Sequence, residues 1–266
     1  MERSSLVRPK LDLSLREKRL RFDLLFNLAR TGPMQALAAR AVAPDSPKLA
    51  LTMGELLVGS PRRVLALTCH EDDLEFFAGG TLRRMALAGS QVHAVVLSDG
   101  EKRGNWTDLA DKRVSEQERA ATMQGYASVQ FLGLPDFGLP EDPRLERLVA
   151  RAWDQLWPEV VFAFDPKEIL PQTANRDHKA LGRTVMDLAR SRFHTGAEVY
   201  FYGTRHPNVL VDITAVMAEK LQAVKAHQSQ MVLFSEEETD AFFRLMARIH
   251  AGNSGVAYAE PLFRLM

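Results

Sequence analysis

From Arg63 onward, short apolar runs rich in β-branched and aromatic residues recur along the chain. They fall at Val64–Cys69, Val92–Leu97, Val129–Leu132, Val160–Phe164 and Val199–Tyr202. Between them lie stretches whose apolar positions repeat with helical spacing: Phe77–Leu87, Arg113–Gln124, Pro143–Leu156 and His178–Arg190. Strand starts recur about every 30–40 residues, the length of a strand–helix–strand unit. Strands this continuously apolar predict a mostly parallel sheet covered on both faces, because each face must be buried under helices. The fold class is therefore α/β, an open sheet with helices on both sides. Val209–Ile213 predicts a further strand, and Ala215–Ala226 and Glu236–Ile249 predict further helices.

The first 60 residues follow a different pattern. Ser14 and Glu17 fit an N-terminal capping box, and Leu20, Leu24, Leu25 and Leu28 mark an amphipathic helical face. Thr31-Gly32-Pro33 ends that helix, and Met34–Val42 predicts a second, short one. Residues 1–60 are thus expected to be a helical extension on an α/β domain spanning 61–266. The extension is expected to pack on the domain or on a second copy of the chain in a homo-oligomer. Residues 1–41 carry nine Lys/Arg against four Asp/Glu, but acids interrupt the positive face, which argues against a membrane-surface helix.

Composition narrows the functional classes. Over 266 residues, 34 basic and 34 acidic side chains balance, so no basic excess points to nucleic acid as a partner. The single cysteine, Cys69, excludes an internal disulfide and suits a reducing compartment. No apolar run approaches the roughly 20 residues that span a bilayer, and the N-terminus lacks an apolar leader segment. A soluble, cytoplasmic protein without a membrane span is expected.

In an open parallel sheet, ligands sit beyond the carboxyl ends of the strands. After the first strand comes Cys69-His70-Glu71-Asp72-Asp73-Leu74-Glu75, then Gly79-Gly80-Thr81. Four acids within five residues beside a histidine repel one another unless a cation or partner resolves the cost. The same acids argue against a nucleotide site, where a glycine-rich turn with free N–H groups would cradle phosphate. Gly79-Gly80 instead suit close helix packing. After the fourth strand, Asn175-Arg176-Asp177-His178 precedes a helix, and Asp177 suits its N-cap or the orientation of a ligand. His70, one of the acids and His178 would form a two-histidine, one-carboxylate site. Three ligands with an open position suit catalytic zinc, and the same set also holds Fe(II). Cys69, His93 and His206 read as structural.

These residues carry a resemblance. Leu65–Thr81 is similar to the first motif of the LmbE-like, or PIG-L, family of zinc-dependent N-deacetylases, with His70, Asp72, Asp73, Gly79, Gly80 and Thr81 in matching positions. Leu97-Ser98-Asp99-Gly100-Glu101 resembles the loop after that family's second strand. Arg113, Glu116, Ala120, Ala121 and Gly125 fit its Arg/Glu/Ala/Gly helix, and Leu134-Pro135-Asp136-Phe137-Gly138-Leu139 a loop facing the substrate. Asp177-His178-Lys179-Ala180 matches its second metal motif, and Lys225-Ala226-His227-Gln228-Ser229-Gln230 its C-terminal signature.

The resemblance spans about residues 62–263 and implies a Rossmann-like sheet and a Zn²⁺ cofactor bound by His70, Asp73 and His178. It further implies hydrolysis of an N-acyl group, most simply acetyl, from an amino sugar such as N-acetylglucosamine or its conjugate. Asp72 would be the general base for a metal-activated water. Arg113 would meet the carbonyl oxygen or a substrate hydroxyl, Asp136 the sugar hydroxyls, and His227 the leaving amine or the oxyanion. Two positions depart from the pattern. Glu71 replaces the usual proline, and Asn175 replaces a frequent histidine, leaving a hydrogen-bond donor that cannot act as an acid. A catalytically silent, metal-binding relative is the alternative, although Asp72 and all three ligands are present.

Overall fold

The computed structural model describes residues 52–53, 61–103, 108–167 and 176–265. The helices expected within 14–42 and the position of Asn175 lie outside these residues. Eight strands form one sheet: β1 (Thr52–Met53), β2 (Arg63–Thr68), β3 (Gln91–Ser98), β4 (Ser128–Leu134), β5 (Val160–Phe164), β6 (Glu198–Tyr202), β7 (Val209–Asp212) and β8 (Ala259–Arg264), in the order β1-β7-β8-β6-β5-β2-β3-β4. Strands β2 to β6 pair in parallel. Among the described strands only β8 runs antiparallel, wedged between β6 and β7. The mostly parallel α/β sheet matches the expectation. Thr52–Met53, within the segment read as a helical extension, add a short parallel strand against β7.

The central strands are apolar because both faces are covered. All five residues of β5 and five of six in β2 are buried. The chain runs β2, β3, β4 outward on one side, then returns to place β5 and β6 on the other. The reversal between β2 and β5 leaves a crevice at their carboxyl ends, where α/β sheets hold ligands.

Around the sheet lie α1 (Asp73–Phe77), α2 (Gly79–Leu87), α3 (Leu109–Gln124), α4 (Leu145–Leu156), α5 (Arg176–Ser191), α6 (Met217–Ala226), α7 (Gln228–Met231) and α8 (Glu236–Ala251). The helix expected over Phe77–Leu87 begins two residues later, at Gly79, because Ala78 leaves helical geometry at φ −137 and separates it from α1. Helix α2 thus begins on Gly79-Gly80-Thr81, and an anion does occupy that N-terminus. It is the protein's own Glu260 from β8, accepting from Gly80 N, Thr81 N and Thr81 Oγ1 at 2.7–2.9 Å. Lys220 Nζ, 2.5 Å away, neutralises it. Gly80 also packs against Ile213, whose Cγ2 would stand 2.6 Å from an added Cβ. Close packing is the use of the glycines, as read from the sequence.

Candidate active site

Two elements carry the inferred ligands to the crevice. His70 follows β2, and Asp73 opens α1 three residues later. The Asp73 carboxylate folds back on the turn: Oδ2 accepts from His70 N at 2.9 Å and from Thr68 Oγ1 at 3.1 Å. His178 sits in the first turn of α5. Four residues on, and therefore on the same face, Gly182 lets that helix close onto the end of β5, where an added Cβ would stand 2.4 Å from the Phe164 carbonyl oxygen. The His178 ring stacks on Phe164 with centroids 3.6 Å apart and planes 8° from parallel.

Three potential ligand atoms converge there. His70 Nδ1 lies 3.2 Å from Asp73 Oδ2, and His178 Nε2 lies 3.3 Å from that oxygen and 3.2 Å from His70 Nδ1. All three residues are buried. A tetrahedral zinc with bonds of about 2.0–2.1 Å separates its donors by roughly 3.3 Å, so the donor set fits a small divalent ion. Burial works to raise the Asp73 carboxyl, but His178 and His70 overcome it and hold the group well below the usual carboxylate range.

The opposite nitrogen of His70 faces different acids. Nε2 lies 3.0 Å from Asp136 Oδ1 and 3.8 Å from Asp177 Oδ2. A proton on Nε2 shared with Asp136 leaves the Nδ1 lone pair directed at Asp73 and His178, the tautomer a ligand needs. Asp136 was expected to meet sugar hydroxyls. In the structure its carboxylate is fully buried, with Oδ1 on His70 and Oδ2 accepting from Lys102 N. Asp177 accepts from Phe137 N at 2.7 Å and Leu139 N at 3.1 Å. It therefore ties the Leu134–Leu139 loop to the helix that carries His178. Burial raises its carboxyl, with His70 and the two amides opposing.

Asp72, next to Asp73 in the chain, has a rare backbone for a side-chain-bearing residue, φ 103. Such conformations cost of order 1–3 kcal/mol and persist only where the surroundings enforce them. Arg113 is expected at a substrate carbonyl or hydroxyl. Its guanidinium is fully buried, with Nε 3.0 Å from Glu71 Oε2, Nη1 on the Gly100 carbonyl and Nη2 on the Glu71 carbonyl and 3.4 Å from Asp72 Oδ2. Glu71, in place of proline, thus supplies the counter-charge for Arg113. Burial pushes its carboxyl up to about 7, against the pull of Arg113.

His227 is expected at the leaving amine or the oxyanion. It is buried at the junction of α6 and α7, and its Nε2 lies 3.1 Å from Glu75 Oε2. Glu75 also accepts from Tyr126 Oη and Gln117 Nε2. Gln117 and Glu75 were not assigned roles from sequence. The available signal was polar residues Arg113, Glu116, Gln117 and Gln124 sharing the buried side of α3 with Ala120 and Ala121. Cys69 is a buried core residue, and His93 bonds Ser128 beside it on β4.

Comparison with known proteins agrees with this arrangement. Residues 65–189 match the family described as PIG-L, GlcNAc-PI de-N-acetylase. The diacetylchitobiose deacetylase of Thermococcus kodakarensis is 30% identical over 223 residues, covering 76% of this chain and 82% of its own length. The N,N'-diacetylchitobiose deacetylase of Pyrococcus horikoshii, solved with an inhibitor, superposes with a TM-score of 0.70 at 26% identity, covering 82% of this chain and 88% of its own. A conserved protein of Thermus thermophilus superposes with a TM-score of 0.64 at 28% identity, covering 75% and 93%. With its motifs in order, its sheet topology and these likenesses, the chain belongs to the PIG-L, or LmbE-like, family of N-deacetylases.

Proposed function

We propose that the chain is a zinc-dependent amidase that removes an N-acetyl group from an amino sugar or its conjugate, with water as the second substrate. The observation that carries this reading is the convergence of His70 Nδ1, Asp73 Oδ2 and His178 Nε2 at tetrahedral spacing. The likeness to two diacetylchitobiose deacetylases supports the substrate class.

His70, Asp73 and His178 would hold the ion, which when bound acidifies a water and polarises the amide carbonyl. Asp72 takes the proton from the attacking water as its oxygen bonds to the acyl carbon. When the C–N bond breaks, Asp72 returns that proton to the departing nitrogen, giving acetate and a free amine. His227 is engaged by Glu75 and takes no proton-transfer step in this scheme. Asp136 orients His70, and Arg113 fixes the Glu71–Asp72 segment. Asn175 remains a candidate donor to the substrate. Residues 1–60, expected from the sequence to be a largely helical extension, are assigned to packing or assembly.

The test joins metal analysis to an assay of acetate and amine release from N-acetylated amino sugars. Wild type should carry about one zinc per chain and release the two products in equal amounts. Asp72→Asn should keep the zinc and lose about 10²–10⁴-fold in turnover, the usual contribution of a general base. Near-equal rates with intact zinc would place the base elsewhere.

A further inference from the structure

We propose that Gln117 is a positioning residue for the reaction, acting with Arg113 as a clamp on the peptide group that sets the Asp72 side chain. The two residues stand four apart on α3, so their side chains lie one above the other on one helix face. Both are fully buried, and both reach the same peptide unit. Arg113 Nη2 donates to the carbonyl oxygen of Glu71, and Gln117 Oε1 accepts from Asp72 N at 3.3 Å. The two polar groups of the Glu71–Asp72 peptide are thus held from a single rigid element.

The clamp has a purpose in the backbone geometry. At φ 103 Asp72 lies outside the conformations an aspartate ordinarily takes. Left alone, the peptide would rotate toward a common φ and move the carboxylate from its place 3.4 Å from Arg113 Nη2. Holding the plane of the preceding peptide prevents that rotation. The Gln117 amide is itself fixed in direction: Nε2 lies 3.3 Å from both oxygens of Glu75. A flipped amide would set its oxygen against that carboxylate and its NH₂ against the Asp72 N–H. Glu75 is in turn held by Tyr126 Oη and His227 Nε2, each at 3.1 Å. In this arrangement His227 and Glu75 serve the base indirectly, through the amide of Gln117.

The inference rests on Asp72 as general base, so its test separates the two. Gln117→Met keeps the side chain's length and removes its polar atoms. Hydrogen exchange of the full-length protein reads the clamp without any assay of activity. The Asp72 amide should exchange at least about tenfold faster in the variant, while amides of β2 and β5 keep their protection. Unchanged exchange at Asp72 overturns the clamp. If Gln117→Met fails to fold, Gln117→Asn keeps the amide but falls one methylene short and should show the same local effect.

Kinetics reads the consequence. In the wild-type background Gln117→Met should lower kcat about 10–100-fold, the scale of a small misplacement of a reacting group, with KM and zinc content within about twofold. In the Asp72→Asn background, where no base remains to be positioned, the same change should cost less than about twofold. Equal losses in both backgrounds would mean independent effects and would overturn the positioning role. Near-wild-type turnover by Asp72→Asn alone would instead overturn the base assignment and leave the exchange result as the measure of the clamp.

Discussion

At Gly100 the backbone takes φ +58, and a Cβ would stand 2.4 Å from Glu71 Oε2 and 3.0 Å from Arg113 Cζ and Nη1. A side chain there meets two obstacles together, a left-handed backbone and an ion pair with no room to retreat. Gly100→Ala should therefore cost about 1–3 kcal/mol in urea unfolding and reduce turnover by displacing Arg113 from the Glu71–Asp72 peptide. Wild-type stability with wild-type turnover would show that the pocket around Glu71 yields. The same neighbourhood marks how far residue types alone could be read. The convergence of His70, an acid and His178 was legible because candidate ligands fall just after a strand and at the start of a helix, and the family motif singled out Asp73 among the acids. Arg113 and Asp136 were legible as site residues but not by task. A buried guanidinium and an exposed one look alike in a sequence, and the motif does not foretell the ion pair with Glu71, which stands here in place of proline. Gln117 gave no chemical signal of its own, because its work depends on a backbone angle at Asp72.

Among the elements, strands β2, β3, β5 and β6 were plain from their uninterrupted apolar runs, as burial on both faces requires. Strand β8 was not. Its sequence Ala-Glu-Pro-Leu-Phe-Arg places a charge and a proline in a strand lying between two others, and proline ordinarily argues against a central strand. The charge is explained by Lys220 and the N-terminus of α2, which together bury Glu260 without leaving it unpaired. No local pattern reveals a partner that lies 40 or 180 residues away. Helix α5 offers a sharper experiment. Alanine for glycine inside a helix normally stabilises by about 1 kcal/mol. At Gly182 the sign should reverse, because the new Cβ would lie 2.4 Å from Phe164 O and 2.8 Å from Pro166 N, both backbone atoms. Gly182→Ala should push α5 off the end of β5, carry His178 away from Asp73, and weaken zinc retention against a chelator at least about tenfold while helix content persists. Unaltered retention would show that α5 can be displaced without moving the ligand.

Across the whole molecule, pH acts through buried groups that pull in opposite directions. His250, partly buried on α8, is held down to about 4 by burial and by Lys220. Glu71, in the site, is pushed up to about 7 by burial, and Asp177 is raised by the same cause. As pH falls from about 6.5 to 4, the unfolded chain protonates His250 and the folded one does not, so stability is lost across that window. For Glu71 the folded state takes up its proton first. Its contribution is present below the ordinary carboxylate value of 4.5 and fades as pH rises through about 7. The net slope of the metal-free protein is a difference of these terms, so it identifies neither group. A difference between variants isolates one of them, since distant sites combine additively. His250→Gln removes the titration and keeps a polar side chain. The urea midpoints of His250→Gln and wild type, measured without metal at pH 7, 6, 5 and 4, should diverge in favour of the variant as the solution becomes more acidic. One proton limits the divergence to about 1.4 kcal/mol per pH unit. Below pH 4 it should level off, because both states of wild type are then protonated. A gap that stays constant from pH 7 to 4 would mean that His250 titrates alike in the folded and unfolded chains, and that the cavity it lines with Phe76, Lys220 and Phe243 is open to water.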